Sequence, residues 1–453
     1  MSFDPSSVFK MQISSEFSLR SLIRFVALCV VGSSMSGIAG LYSQGKVAVL
    51  PAVDYAHPDQ SHFNSRGYWE RGVVGPTLDR TGWLGRTLDA VGVDDNPLQG
   101  VTVSWSMDPS LISHSAPVGT VYDPSSFGFD IPGVWTPDGF TAAYRESGRA
   151  IHSKGGRAAA KAYENAFKMV DMLAPIKAEG GADSLPPAPV PYPTDSDLGT
   201  TMRNTARILG AGLGTRVVCL SQGGFDTHNN QPENHAKILK EVSDSVTAFQ
   251  ADIQARGLAD RVVVMIWSEF GRRPEDNDDN GTDHGAGGGL LLIGNKVNGG
   301  IRSEFPGLTN LDEDDNLKVT TEFRTVYASL LEGWMGVDAE AIAHRCRQIG
   351  RQLHSEIPFE PVAEQVEMFV AHGEAGRCPV TTVTDQQILL FADGRDDIEA
   401  GGFERRGERT GVLDDAPRID LEFGGQRLLQ RFPNNFLPAL QRQIEAFATD
   451  AGL

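Results

Sequence analysis

Four cysteines in 453 residues set the first limit on this chain. Cys29, Cys219, Cys346 and Cys378 stand far apart, with no Cys-x-x-Cys pair and no Cys/His zinc spacing, which argues against a disulfide framework. Positive charge is also short: 40 Lys and Arg against 59 Asp and Glu give a formal charge of −19. Such a balance argues against nucleic acid or an anionic membrane as the main partner. No apolar run is long enough to span a bilayer. The nearest candidate, residues 25–32, follows Arg20 and Arg24 and precedes Ser33, Ser34 and Ser36. It reads either as a weak signal-peptide core or as a buried helix or strand. There is no Gly-x-Ser-x-Gly elbow, no Walker A motif and no strand–Gly-x-Gly-x-x-Gly–helix unit. The glycines of Gly285 to Gly289 lack the Lys-Ser/Thr of a phosphate loop. No internal repeat is found.

What is present is ordinary for a soluble globular protein, 40% hydrophobic and 22% charged. Arg216-Val217-Val218-Cys219-Leu220 and Arg261-Val262-Val263-Val264-Met265-Ile266-Trp267 are apolar runs without polar alternation. That pattern predicts strands covered on both faces. Between them Ile238, Val242, Val246, Phe249 and Ile253 recur at helical spacing, and Gly257 is placed to end the helix. Strand, helix, strand at this length predicts a right-handed βαβ unit, whose ligands gather beyond the carboxyl ends of the strands. Leu290-Leu291-Leu292-Ile293 predicts a third strand.

Elsewhere, residues 46–53 read as a strand, and a polar loop leads from them to Ser61-His62-Phe63 and a short helix through Arg71. Residues 73–140 show little periodicity and predict loops and short strands. Residues 141–177, 198–209 and 320–335 have helical patterns, the last with Phe323, Val326, Tyr327, Leu330 and Trp334 on one face. Pro186, Pro187, Pro189, Pro191 and Pro193 make a stiff connection. Beyond about residue 361 the character changes. Residues 392–425 are dense in charge and glycine, and residues 437–447 predict a final amphipathic helix.

The chemistry-bearing residues cluster at the ends of the predicted strands. Asp226 and His228 leave the first strand, Ser268 and Glu269 leave the second, and Asp283 and His284 precede the third. Carboxylates and imidazoles converging on a sheet edge suit a divalent metal, zinc or manganese in preference to calcium. The alternative is a set of hydrogen-bonded loop residues. His235 opens the helix and suits capping or exposure better than ligation. Ser61 stands where a helix N-terminus favours developing negative charge; the simpler reading is an N-cap. His62 beside it either reaches the site or points away. Arg272 and Arg273 suit an anionic substrate or balance the acidic loop. In that loop Asp276-x-Asp278-x-Asn280-Gly281 imitates a calcium-binding opening, but the twelfth position is Gly287 and no helix follows, so the EF-hand reading fails.

These motifs resemble a bacterial family catalogued only as a domain of unknown function, DUF1501. The resemblance rests on Gly45-Lys46-Val47-Ala48-Val49, Ser61-His62-Phe63, Thr81-Gly82-Trp83-Leu84-Gly85-Arg86, Gly224-Phe225-Asp226-Thr227-His228, Ser268-Glu269-Phe270-Gly271-Arg272, Gly281-Thr282-Asp283-His284-Gly285 and Thr321-Glu322-Phe323-Arg324. The family looks like a distant relative of the alkaline phosphatase and sulfatase superfamily. That implies a three-layer α/β fold with a largely parallel sheet over residues 36–345, flanked by a non-matching segment, 1–35, and an extension, 346–453. It implies a metal-dependent hydrolase of small phosphate or sulfate esters, with two metals at the strand ends. Asp226, His228, Glu269, Asp283 and His284 would be the metal ligands, Ser61 and His62 catalytic residues, and Arg272 and Arg273 contacts to the anion. Two departures stand out. The twin-arginine signal that would imply export is not found, which leaves a cytoplasmic location open. The first strand, with its Gly-Gly-x-Asp-Gly-like turn and acidic ligand, is missing at the same end, so either the gene start is misassigned or shifted or this copy has lost that strand. Loss of the strand would favour a non-enzymatic, exported or surface-associated protein on the same scaffold. The second departure is the tail after about residue 345, which matches nothing.

Overall fold

The computed structural model describes residues 34–129, 137–149, 153–178, 187–339, 342, 386–392, 418–423 and 426–431. These fall into two compact units. The larger takes the described residues up to 129 and from 164 to 392, and the smaller takes those from 137 to 163 and from 418 to 431.

Along the chain come α1 (Ser36–Ser43), β1 (Val47–Asp54), α2 (His62–Arg71), α3 (Trp83–Val91), β2 (Gly100–Thr102) and β3 (Gly119–Thr120). Helices α4 (Pro137–Arg149), α5 (Lys154–Ala178) and α6 (Asp197–Gly210) follow, then β4 (Val217–Gln222), α7 (Gln231–Ala255) and β5 (Val262–Trp267). Next are the short strands β6 (Gly271–Arg272) and β7 (His284–Gly285), then β8 (Gly288–Ile293), β9 (Gly300–Ile301) and β10 (Thr321–Glu322). Helix α8 (Phe323–Ser329) continues into a π-helical turn, Leu330–Trp334. Strand β11 (Gln386–Ala392) belongs to the larger unit, and β12 (Arg418–Phe423) with β13 (Gln426–Arg431) forms an antiparallel hairpin in the smaller.

The main sheet has nine strands in the order β10-β1-β8-β5-β11-β4-β2-β3, with β9 also paired to β1. Only β8 and β11 run against the rest, because each is antiparallel to both its neighbours while the other pairings are parallel. The fold is therefore mixed α/β with a sheet whose strands mostly share one direction. Strand β5 shows why its sequence lacks polar alternation. Val263, Met265 and Trp267 enter one hydrophobic core, and Val262, Val264 and Ile266 enter the other. Strand β4 divides in the same way, Val217 and Cys219 against Val218 and Leu220. Both faces are covered, as the unbroken apolar runs predicted. Helix α7 supplies part of that cover through Val242, Val246, Phe249 and Ile253, all buried.

Three details differ from expectation. Strands β4 and β5 run in the same direction with α7 between them, but they are not neighbours. Strand β11 lies between them, with Leu389 opposite both Cys219 and Met265. It comes from beyond the span expected for the main domain and fills an interior place in a sheet expected to lack a strand. Strand β8 is antiparallel, since it returns directly from the β6–β7 loop. The region expected to be loops contains α3, a nine-residue helix too short to stand out among its glycines and prolines. The helix predicted at 437–447 and most of the charged stretch 392–425 lie outside the described residues.

One packing feature positions the site. Trp69 of α2 stacks between Trp267 of β5, at 4.6 Å, and Phe323 of α8, at 4.4 Å. The Ser65 hydroxyl donates to the Glu269 carbonyl at 2.7 Å. Helix α2 is thus fixed against the end of β5, with its first residue, His62, facing the strand's exit.

Candidate metal centre

The loop after β4 is shaped by glycine. Gly224 has φ +93°, a conformation that L side chains rarely adopt, and it turns the chain so that Phe225 is buried and Asp226 follows at the sheet edge. The Thr227 N–H donates to the Phe225 carbonyl and the His228 N–H to the Asp226 carbonyl, so this segment is tightly coiled. The second loop docks onto it. A Cβ on Gly281 would lie 2.1 Å from the His228 carbonyl carbon, an approach only glycine allows. Asn277 closes the contact: its amide donates to the His228 carbonyl at 3.0 Å, and its oxygen accepts from the Asp279 and Gly281 N–H groups. The β6–β7 pairing sets Arg272 opposite His284, and both side chains reach Asp226.

At the centre, Asp226 Oδ1 lies 2.8 Å from His228 Nε2 and 3.0 Å from His284 Nε2, and these two nitrogens are 3.0 Å apart. Asp226 Oδ2 lies 3.5 Å from His62 Nε2, which is buried and has no hydrogen-bond partner. His62, Asp226 and His284 offer ligand atoms that all fall within 4.8 Å of one another. The opposite nitrogen of every ring faces an acceptor. His62 Nδ1 faces Glu269 Oε1 at 3.0 Å, His228 Nδ1 faces Asp283 Oδ1 at 2.9 Å, and His284 Nδ1 faces the Gln60 carbonyl at 3.0 Å. In the tautomer that would receive a metal, each Nδ1 carries hydrogen and donates outward, and each neutral Nε2 turns a lone pair inward; with Nε2 protonated, the His228 and His284 rings donate to Asp226 instead. Lone pairs at such separations repel unless positive charge lies among them. A tetrahedral zinc ion with ligands at about 2.0–2.2 Å sets its ligand atoms about 3.3–3.6 Å apart. The spacings of 2.8–3.0 Å around Asp226 Oδ1 are shorter than that separation and the 3.5 Å from Asp226 Oδ2 to His62 Nε2 matches it, and the donor set suits zinc or manganese.

The local electrostatics agree. Burial would raise the Asp226 carboxyl, but the adjacent His284 and His62 rings and the Arg272 guanidinium, which donates to it at 2.6 Å, outweigh burial and hold it well below the usual carboxylate range. Burial lowers His62, but the Asp226 and Glu269 carboxylates outweigh it and lift the imidazole to about 9.

The structure brings most of the sequence-predicted residues together, in differing roles. Asp226, His228 and His284 meet directly. Glu269, almost fully buried, and Asp283, on the surface, reach the group through the outer nitrogens of His62 and His228. His62 points into the cluster. Arg272 donates to Asp226 Oδ1 at 2.6 Å and to the Phe225 and Thr282 carbonyls at 2.9 Å. Its role here is to steady Asp226. Arg273 is half-buried beside Asp283 and hydrogen-bonds to that residue's carbonyl through its own backbone. Ser61 takes the N-cap position of α2, yet its hydroxyl makes no capping bond. The ordering of this turn falls to Asp59, which accepts from the Ser61 N–H and the Asn64 amide. His235 lies one turn inside α7 and packs edge-on against Phe225, away from any ligand contact. The acidic stretch 275–279 is organised around Asn277 as a surface loop, without helices on both sides. Sequence reasoning did not single out Asp54. At the end of β1 and fully buried, it accepts from the Tyr55 and Gly287 N–H groups, and burial drives its carboxyl up to about 8. The signal that could have found it is an aspartate ending an otherwise apolar strand.

Residues 141–356 match the family model described as "Protein of unknown function (DUF1501)". The match supports the family resemblance read from the motifs. It contains Asp226, His228, Glu269, Asp283 and His284, and it does not reach Ser61 or His62. No curated protein and no solved structure matches the chain.

Proposed function

We propose that the chain is a divalent-metal-dependent hydrolase of phosphate or sulfate esters. The observation that carries this reading is the convergence of imidazole Nε2 atoms on Asp226 at the carboxyl ends of the strands, with each ring held from behind. Zinc or manganese held there supplies charge that polarises the ester oxygens and stabilises the leaving group.

The chain's own residues do the rest. Asp226, His228 and His284 form the heart of the metal centre, and Arg272 keeps the Asp226 carboxylate ionised and oriented. Ser61, at the start of a ten-residue helix and with a hydroxyl not engaged in capping, is the proposed nucleophile. The positive end of α2 favours negative charge developing beside it. Arg273, at the rim, is the proposed contact to the anion. Solvent reaches the centre at His228, whose side chain is 39% exposed.

The test is turnover of nitrophenyl phosphate and nitrophenyl sulfate by protein loaded with zinc or manganese. Hydrolysis of either ester that His284→Ala abolishes, and that Ser61→Ala strongly reduces, as loss of a nucleophile should, supports the reading. Failure of the loaded protein to hydrolyse either ester overturns it.

A further inference from the structure

We infer that the centre holds a single divalent cation on four side chains, His62, Asp226, His228 and His284, and that Glu269 is the positioning residue that delivers His62 to it. The inference deepens the metal-dependent reading by fixing the number of metals and the ligand set, with three imidazoles and one carboxylate.

His62 carries the argument. Its Nε2 is buried, lacks a hydrogen-bond partner and lies 3.5 Å from Asp226 Oδ2. A buried ring nitrogen left in that state is unfavourable unless it has a partner to bind. Its ring packs edge-on against that of His284, with centroids 4.4 Å apart, and at a tilt against Phe270 at 4.9 Å, so it is held on two sides. Glu269 fixes the remaining freedom. Its Oε1 accepts from His62 Nδ1, and its Oε2 accepts from the Ser268 hydroxyl at 3.1 Å. A carboxylate behind a histidine sets the tautomer and raises the basicity of the ligating nitrogen. Asp283 does the same for His228, and the Gln60 carbonyl for His284.

A second metal would need its own ligands. Among the described residues, His62, Asp226 and His284 are the group whose ligand atoms all lie within 4.8 Å of one another, and His228 joins the same cluster through Asp226 and His284 at 2.8 and 3.0 Å, so the candidate ligands share one centre. Glu269 and Asp283 each commit an oxygen to a histidine Nδ1, as partners of ligands.

The experiment uses the full chain, stripped with a chelator, reloaded with excess zinc or copper(II) and dialysed. Metal analysis should return one equivalent per chain, and pulsed electron paramagnetic resonance of the copper form should count three imidazoles. His62→Ala should weaken zinc binding at least tenfold, read by competition with a chromophoric chelator. Glu269→Ala should weaken it about 10–100-fold, with Glu269→Gln, whose amide oxygen still accepts from His62 Nδ1, recovering part of the loss. A purely structural role for Glu269 would not give that partial recovery at unchanged near-ultraviolet circular dichroism. If Glu269→Ala does not fold, Asp283→Ala, a surface change, should still loosen zinc several-fold through His228. Two equivalents per chain, no bound metal, two imidazoles in the copper spectrum, or unchanged affinity in His62→Ala would each overturn the inference. Turnover does not enter these readouts: one metal on three histidines without hydrolysis would sink the hydrolase reading alone. Hydrolysis with two metals would sink only this one.

Discussion

Asp54 holds its proton across the pH range in which an ordinary aspartate is ionised. Burial is the main cause, and it outweighs the two backbone N–H donors that favour the charged form. The consequence for stability has a definite sign. In the unfolded chain the carboxyl ionises near its ordinary value, while in the folded chain it stays protonated to about 8. Between those values the folded state binds more protons, so stability falls as pH rises, by at most about 1.4 kcal/mol per unit. Urea titrations at pH 5, 6, 7 and 8 should show this decline, and Asp54→Asn should flatten it. An equal slope in the variant would mean that other groups carry the effect. Asp54 also marks a limit on reading single residues from sequence. Asp226, His228, Asp283 and His284 stood out because each adjoins a recognisable strand. The inward turn of His62 did not, because it depends on Glu269, 207 residues away. Glu269 was legible as a site residue, but its place behind His62 depends on where α2 docks, which no local pattern encodes.

The docking of α2 is an element-scale property. Its stability comes from a face rather than from propensity, because Trp69 fills the gap between Trp267 and Phe323. Trp69→Ala should cost about 3–5 kcal/mol, and the helix would lose the contact that aims His62. Metal affinity in that variant should therefore fall even where the chain remains folded, and a titration well below the melting temperature would measure it. A variant that is destabilised but binds zinc as wild type does would show that α2 is held in other ways. Most elements were legible because their burial is simple. The two-faced burial of β4 and β5 leaves an apolar run, and the one-faced burial of α7 leaves a stripe. What was not legible is pairing. The place of β11 between β4 and β5 is set by main-chain bonds to strands far earlier in the chain, and a short apolar run does not name its neighbours. The break of the 320–335 pattern into β10, α8 and a π-helical turn was likewise hidden, since a π turn keeps the buried face while shifting its spacing.

At the scale of the whole molecule, the site draws on four separated stretches of chain: α2, the loop after β4, the loop after β5 and the β6–β7 loop. The family match covers the last three and stops short of the first. The mostly co-directional sheet brings their strand ends to one edge, and the result is a cluster of imidazoles around one carboxylate, which the proposed cation would hold together. That proposed cation is the central claim, and metal content tests it most directly. The full chain, prepared without a metal-binding tag, loaded with zinc or manganese and dialysed, should retain metal, and the Asp226→Ala/His284→Ala double variant should retain none. Equal retention by the two proteins, or none by the wild type, would contradict the account.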